Sequence, residues 1–416
     1  MSVSTVFLGL SVLGLLLSIG TFFRVRLAGA LLVPTFLIGW LRGELALQTI
    51  AIELAVTALF LGQGVHHDPR GQLGLALTLV SWGLLVASHV RSVRAGAVLA
   101  EALAPIGIEP ERDVSFLHGF PWPFRFGHPE VRSEIHVEYG PSLPGDKGGR
   151  NRLDLHLPAG ARAGDRRPVL LQVHGGAWIM GDKREQGRPL MAHLAARGWV
   201  CAATNYRLSP AATMPDQIVD VKRALAWLRA NVADYGGDPD FICITGGSAG
   251  GHLSSLAALT PNDPRFQPGF ESVDTRVEAC VPFYGVFDFL DRAGDRRFGK
   301  MADALGPMIF KCRPEDDPEL WDAVCPIARV HDAAPPFFVI QGSHDSLVFA
   351  EEAVRFVGAL RAASRSPVAF AELPGAQHAF EIFHSPRSAH AVRAATAFLE
   401  HVHAEYRHRV SRERSA

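Results

Sequence analysis

Apolar positions follow two different regimes along the 416 residues. Over roughly the first 90 they form long runs, interrupted only by Arg24, Arg26, Arg42, Glu44, Glu53, Asp68 and Arg70. A bilayer core about 30 Å thick needs roughly 20 apolar residues in a helix. Four stretches approach that length: Val3 to Phe23, Leu27 to Leu41, Leu45 to Leu61 and Gln72 to Val90. The second is short and holds Pro34, which predicts a kinked or re-entrant segment. The third holds Glu53, which would cost a few kcal/mol facing lipid and is therefore expected to face other helices. A cleaved signal peptide fits poorly, because no basic residue precedes the first run and three more apolar stretches follow it. The pattern predicts an all-α transmembrane region of three or four helices over residues 1–92, in a multi-pass protein of the cell membrane. Charge does not orient it, since Arg42, Arg91 and Arg94 balance Arg24, Arg26 and Arg70.

A connector over residues 93–132 is rich in Pro, Gly and aromatics, as in Phe120-Pro121-Trp122-Pro123-Phe124. It reads as a lid-like element near the membrane surface. From Ser133 the pattern changes to short strands alternating with amphipathic helices. Candidate strands are Glu134–Tyr139, Arg152–Leu157, Val169–His174, Val200–Asn205, Phe241–Thr245, Ala279–Phe283, Phe337–Gln341 and Val368–Leu373. The first two alternate polar and apolar, as antiparallel edge strands do, and the middle ones are continuously apolar, as strands buried on both faces are. Helical patterns fill Arg188–Arg197, Gln217–Asn231, Ser248–Leu259, Ala350–Ala363 and Arg387–His403. The predicted class is α/β, a mostly parallel eight-stranded sheet with helices on both faces over residues 133–408. A polar insertion between Tyr284 and Pro335 is placed to shape a pocket.

Composition narrows the partners. A formal net charge of −1 gives no electrostatic support for nucleic acid. Of five cysteines, Cys201, Cys243 and Cys280 lie in apolar runs and read as buried thiols, while Cys312 and Cys325 lie in a polar region where they could pair. His66-His67-Asp68 is compact but lacks further ligands at metal-site spacing, so no metal is expected.

The chemistry centres on Gly246-Gly247-Ser248-Ala249-Gly250-Gly251, set between an apolar strand and a helix. G-x-S-x-G in that setting is a nucleophile elbow, with Gly246 and Gly250 small because a side chain would collide across the turn. A P-loop would need a Lys-Ser or Lys-Thr pair after the glycines, and none is present. Upstream, His174-Gly175-Gly176-Ala177 ends a strand and can turn backbone amides toward an oxyanion. The expected donors are Gly175, Gly176 and Ala249, with His174 holding the loop. A serine nucleophile needs a base oriented by an acid, and in such folds these follow in the order Ser, Asp or Glu, His. Asp345 follows Phe337–Gln341 and His378 follows Val368–Leu373, so the order yields Ser248, Asp345 and His378. His384, His390, Asp322 and Asp332 compete but do not sit just past a buried strand.

These motifs, with Asn205-Tyr206-Arg207-Leu208-Ser209-Pro210, Asp345 in Asp-x-Leu-Val and His378 followed by Phe380, resemble the hormone-sensitive-lipase-like bacterial esterases of the α/β-hydrolase superfamily. The resemblance spans about Ser133 to His403. It implies hydrolysis of carboxylic esters of short to medium acyl chains, without a cofactor. Two departures stand out: Ala177 replaces a third glycine, and the N-terminal region replaces a soluble helical cap. The membrane helices look like those of membrane-anchored actinobacterial esterases and favour a small-molecule or lipid ester as substrate. An amidase, such as an arylformamidase, or an acyltransferase would use the same triad, and a non-catalytic membrane protein would be expected to have lost part of it.

Overall fold

The computed structural model describes residues 1–24, 32–124, 127–295 and 301–415. Arg26 and the start of the second apolar stretch at Leu27 lie outside these residues, as do residues 296–300 of the insertion.

Eight strands form one sheet: β1 (Val131–Glu138), β2 (Arg152–Pro158), β3 (Arg167–Val173), β4 (Val200–Thr204), β5 (Gly237–Gly247), β6 (Ala279–Phe283), β7 (Phe337–Gly342) and β8 (Val368–Leu373). Their order is β1-β2-β4-β3-β5-β6-β7-β8. β1 pairs antiparallel with β2 and β2 antiparallel with β4, and the other pairings are parallel. Every residue of β4 and β6 is buried, which is why those runs carry no polar alternation.

Helices α5 (Arg188–Ala196), α6 (Asp216–Asn231), α7 (Ala249–Leu259), α10 (Ala350–Ala363) and α11 (Pro386–Ser415) follow the strands. The insertion holds two short helices that the polar pattern did not reveal, α8 (Met301–Ile309) and α9 (Pro318–Ala323). One face of the sheet packs Ile218, Leu225, Leu253 and Phe356 from α6, α7 and α10. The other packs Leu190, Leu194, Phe398 and Leu399 from α5 and α11. Cys312 and Cys325 are both free thiols, so the pairing considered from sequence does not form.

Four helices precede the sheet: α1 (Val3–Gly20), α2 (Leu32–Glu44), α3 (Ala46–Gly62) and α4 (Pro69–Leu103). By length and composition α1 and α4 can each cross a membrane, and α2 with α3 adds a third crossing if this pair, bent by 90°, counts as one span. The bend falls at Leu45 rather than at Pro34. Pro34 sits in the first turn of α2, where the missing N–H has no helical acceptor to lose. Glu53 turns inward to an ion pair with Arg42 and accepts the indole N–H of Trp82 at 3.0 Å. α1 and α4 pack closely, with Gly74 against the Phe7 ring and Ser18 bonded to Ser81.

The boundary expected at residues 92/93 falls inside α4. At 1.5 Å per residue its 35 residues span about 52 Å, well beyond a bilayer core. Its last turns supply Ala95, Leu99 and Leu103 to the layer formed by α5 and α11. The helical region and the α/β domain therefore share a hydrophobic core.

Candidate active site

β5 runs into α7 through Ser248, whose φ of 58° and ψ of −121° hold it in a strained turn. Such a conformation costs on the order of 1–3 kcal/mol and persists only where its surroundings enforce it. The enforcement is visible here. A Cβ on Gly246 would lie 2.5 Å from Gly250 O, and one on Gly250 would run into Val173 O. The Ser248 amide donates to Phe283 O at 3.0 Å, tying the elbow to the end of β6. Ser248 is half-buried at the head of an 11-residue helix, so the positive end of the α7 dipole faces its side chain.

Asp345 and His378 come from the loops after β7 and β8 and meet there, with His378 Nδ1 2.7 Å from Asp345 Oδ2. Asp345 Oδ2 also accepts from Gln341 Nε2 at 3.1 Å, and Oδ1 accepts the amides of Leu347 and Val348 at 2.8 Å each. This network leaves the carboxylate one orientation and assigns the Nδ1 proton to the imidazole. Gln377 locks the two loops together, its Oε1 accepting the amides of Ser346 and His378. His378 is 4% exposed.

Tyr284 links the Ser248 turn to His378. It directly follows β6 with φ 38°, its ring lies 4.4 Å from the His378 ring, and a Cβ on Gly247 would touch its hydroxyl. Ser248 and His378 are thus brought to the same end of the sheet. No hydrogen bond joins Ser248 Oγ to His378 Nε2 among the described residues.

The oxyanion expectation requires a correction. The Gly175 amide donates to Gln186 Oε1 at 2.7 Å, so it is committed to a side chain and unavailable to a substrate oxygen. The amides of Gly176, Ala177 and Ala249 have no acceptor among the described residues. Ala177 has φ 52°, a left-handed conformation that costs a non-glycine residue roughly 1–2 kcal/mol. The loop therefore keeps a glycine-like shape despite its alanine. His174 Nδ1 donates to Gly175 O at 2.7 Å, and its ring stacks on Tyr206 at 4.3 Å. Burial pushes its imidazole down to about 4, so it is neutral at pH 7 and serves as a strut for the loop.

The competing residues sit elsewhere. His390 is buried against Gly96 of α4, and His384 stacks on His118. Asp322 pairs with Arg292 and Asp332 with Arg365. Trp178, after the oxyanion loop, packs 4.9 Å from Phe289 of the insertion, and Phe310 stacks on Trp321 at 3.6 Å, so aromatic rings fill that flank. Sequence reasoning missed Gln186, Gln341 and Gln377. Gln186 and Gln377 each reach a different loop, and Gln341 bonds forward to Asp345 and Val348 from the end of its own strand, so no motif marks any of them.

The family model described as BD-FAE matches residues 153–360. The chain is 44% identical over 378 residues to the probable carboxylic ester hydrolase LipM of Mycobacterium tuberculosis, covering 89% of this chain and 87% of that protein. It is 48% identical to the esterase LipQ of the same organism over 264 residues, 63% of this chain and 61% of that one. Among solved structures, a thermophilic esterase from Thermogutta terrifontis superposes with a TM-score of 0.53 at 25% identity, covering 66% of this chain and 95% of that one.

Proposed function

The chain belongs to the bacterial hormone-sensitive-lipase-like esterases of the α/β-hydrolase superfamily and is a carboxylic ester hydrolase, and from that premise we propose a membrane-anchored serine esterase or lipase acting through Ser248, His378 and Asp345. The observation that carries the reading is the Asp345–His378 hydrogen bond at the sheet end where the strained serine turn stands.

In this reading His378 Nε2 takes the Ser248 proton as Oγ attacks the ester carbonyl. Asp345 keeps Nδ1 protonated and stabilises the imidazolium that forms. The oxyanion is received by the amides of Gly176, Ala177 and Ala249, in place of the donor set that included Gly175. His378 returns the proton to the departing alcohol, leaving an acyl-serine. Water, activated by the same imidazole, then releases the acid. α1 and α4 anchor the enzyme in the membrane, and the substrate is a small-molecule or lipid ester met at that surface.

The test uses the full chain in detergent micelles with a short-chain nitrophenyl ester. Ser248→Ala is expected to lower kcat by roughly 10⁴–10⁶-fold and to abolish labelling by a fluorophosphonate. Near wild-type turnover by that variant would remove the triad assignment.

A further inference from the structure

α2 bears directly on the loop that carries His378. Trp40 Nε1 donates to Ala379 O at 2.8 Å. Ala379 directly follows the histidine and has φ 60°, a conformation a non-glycine residue holds only under constraint. One turn earlier, the Phe36 ring stacks on Trp40 at 5.4 Å and meets the His378 ring edge-on at 6.1 Å. Gly39 lets the Gln377 amide approach, with Nε2 3.3 Å from where a Cβ would stand, and Gln377 is the residue that holds the acid and base loops together. Past the loop, Phe383 packs on Trp40 at 4.7 Å, and Glu44 at the end of α2 forms a fully buried ion pair with Arg387.

We infer that α2 belongs to the catalytic apparatus, with Trp40 a positioning residue that acts through Ala379 to hold the His378 imidazole in register, and Phe36 walling its edge. The inference rests on the Ser248–His378–Asp345 reading. A base must be held within about 0.5 Å of its productive place, and a misplacement of about 1 Å costs roughly 100-fold. The indole N–H is the only side-chain donor to the Ala379 carbonyl among the described residues. The Ile382 amide also donates to this carbonyl, at 3.3 Å, so loss of the indole leaves the strained peptide a single, longer tether and lets it shift and carry the ring with it. α2 turns into α3 at Leu45, and Arg42 ties it to Gly14 and Ser18 of α1 and to Glu53 of α3. The apolar helices and the base loop thereby form one mechanical unit, and the helical region contributes to turnover as well as to location.

The experiment compares the full chain with Trp40→Phe, which keeps an aromatic ring and loses the donor, and with Phe36→Leu, Leu41→Ala and Ser248→Ala, all in the same micelles. A fluorophosphonate counts competent sites, so turnover is expressed per site and loss of folded protein is separated from loss of rate. For Trp40→Phe we expect kcat per site to fall roughly 10–100-fold with KM within about twofold. The acid limb of its pH profile of kcat/KM is expected to move, which a purely structural role would not cause. Phe36→Leu should lose roughly 3–10-fold and shift the same limb. Leu41, on the exposed face of the helix, should tolerate alanine without loss per site. If Trp40→Phe yields no countable sites, Phe36→Leu decides alone. Turnover per site within about twofold of wild type and an unmoved pH profile, with Ser248→Ala inactive, overturn the role of α2 while leaving the triad standing. An active Ser248→Ala overturns the triad itself.

Discussion

Glu381 offers the most quantitative test of the physics around the site. It lies three residues after His378, is 6% exposed and lines a small cavity of about 10 Å³ with Gln172, Gly187, Gly246, Gly247 and Phe283. The groups facing it are Tyr284, His378 and Glu44. Neither Glu381 Oε2 nor the Tyr284 hydroxyl has a hydrogen-bond partner among the described residues, although the two side chains are close enough to interact. Burial raises the carboxyl from its ordinary 4.5 to about 7, outweighing the smaller favourable interactions with Tyr284 and His378. The folded protein thus keeps this proton where the unfolded chain has released it, so stability falls as pH rises between about 4.5 and 7. At about 1.36 kcal/mol per pH unit the loss accumulates to about 3 kcal/mol and is constant above that window. Glu381→Gln removes the charge at nearly constant shape. It is expected to be neutral near pH 4.5 and to stabilise by about 3 kcal/mol at pH 8, or roughly 3–4 °C in midpoint for a chain of this size. Thermal scans of both proteins in the same micelles at pH 4.5, 6 and 8 measure this. A difference that does not change with pH, or a variant less stable at pH 8, would refute the assignment of an unpaired buried carboxyl.

Asp345→Asn should lower kcat by about 10⁴-fold with little change in KM, because the amide can no longer impose the Nδ1–H form of His378; steady-state kinetics at pH 7–8 check it. Gly250→Ala places a Cβ into the Val173 carbonyl and should cost more than about 3 kcal/mol, read as loss of folded protein on gel filtration. Removing one partner of the buried Glu44–Arg387 pair, as in Arg387→Met, should destabilise by about 3–5 kcal/mol, whereas replacing both with apolar residues should recover much of that in a double-mutant cycle.

Much of the catalytic half was legible because its signals are local or follow chain order. Unbroken apolar runs mark the strands buried on both faces and alternation marks the edge pair, and all eight strands stand where these patterns place them, with ends differing by a few residues. Asp345 and His378 could be chosen because each directly follows a buried strand, and the two do meet. The elbow was readable because its glycines answer a steric demand within five residues. Chemistry carried by a backbone amide was less legible. Gly175 stands in the motif like its neighbours, yet its amide is taken by Gln186, 11 residues away.

The sequence by itself therefore determined the class of fold, the nucleophile turn, the order of the proposed triad and the apolar character of the first 90 residues. Tertiary structure alone decided how the two halves join. α4 runs unbroken from the apolar bundle into the core of the α/β domain, and α2 reaches the His378 loop across 339 residues of sequence. Periodicity reports which face of a helix is apolar. It does not report whether lipid, a neighbouring helix or a catalytic loop covers that face, because all three satisfy the same hydrophobic demand and only the assembled fold selects among them.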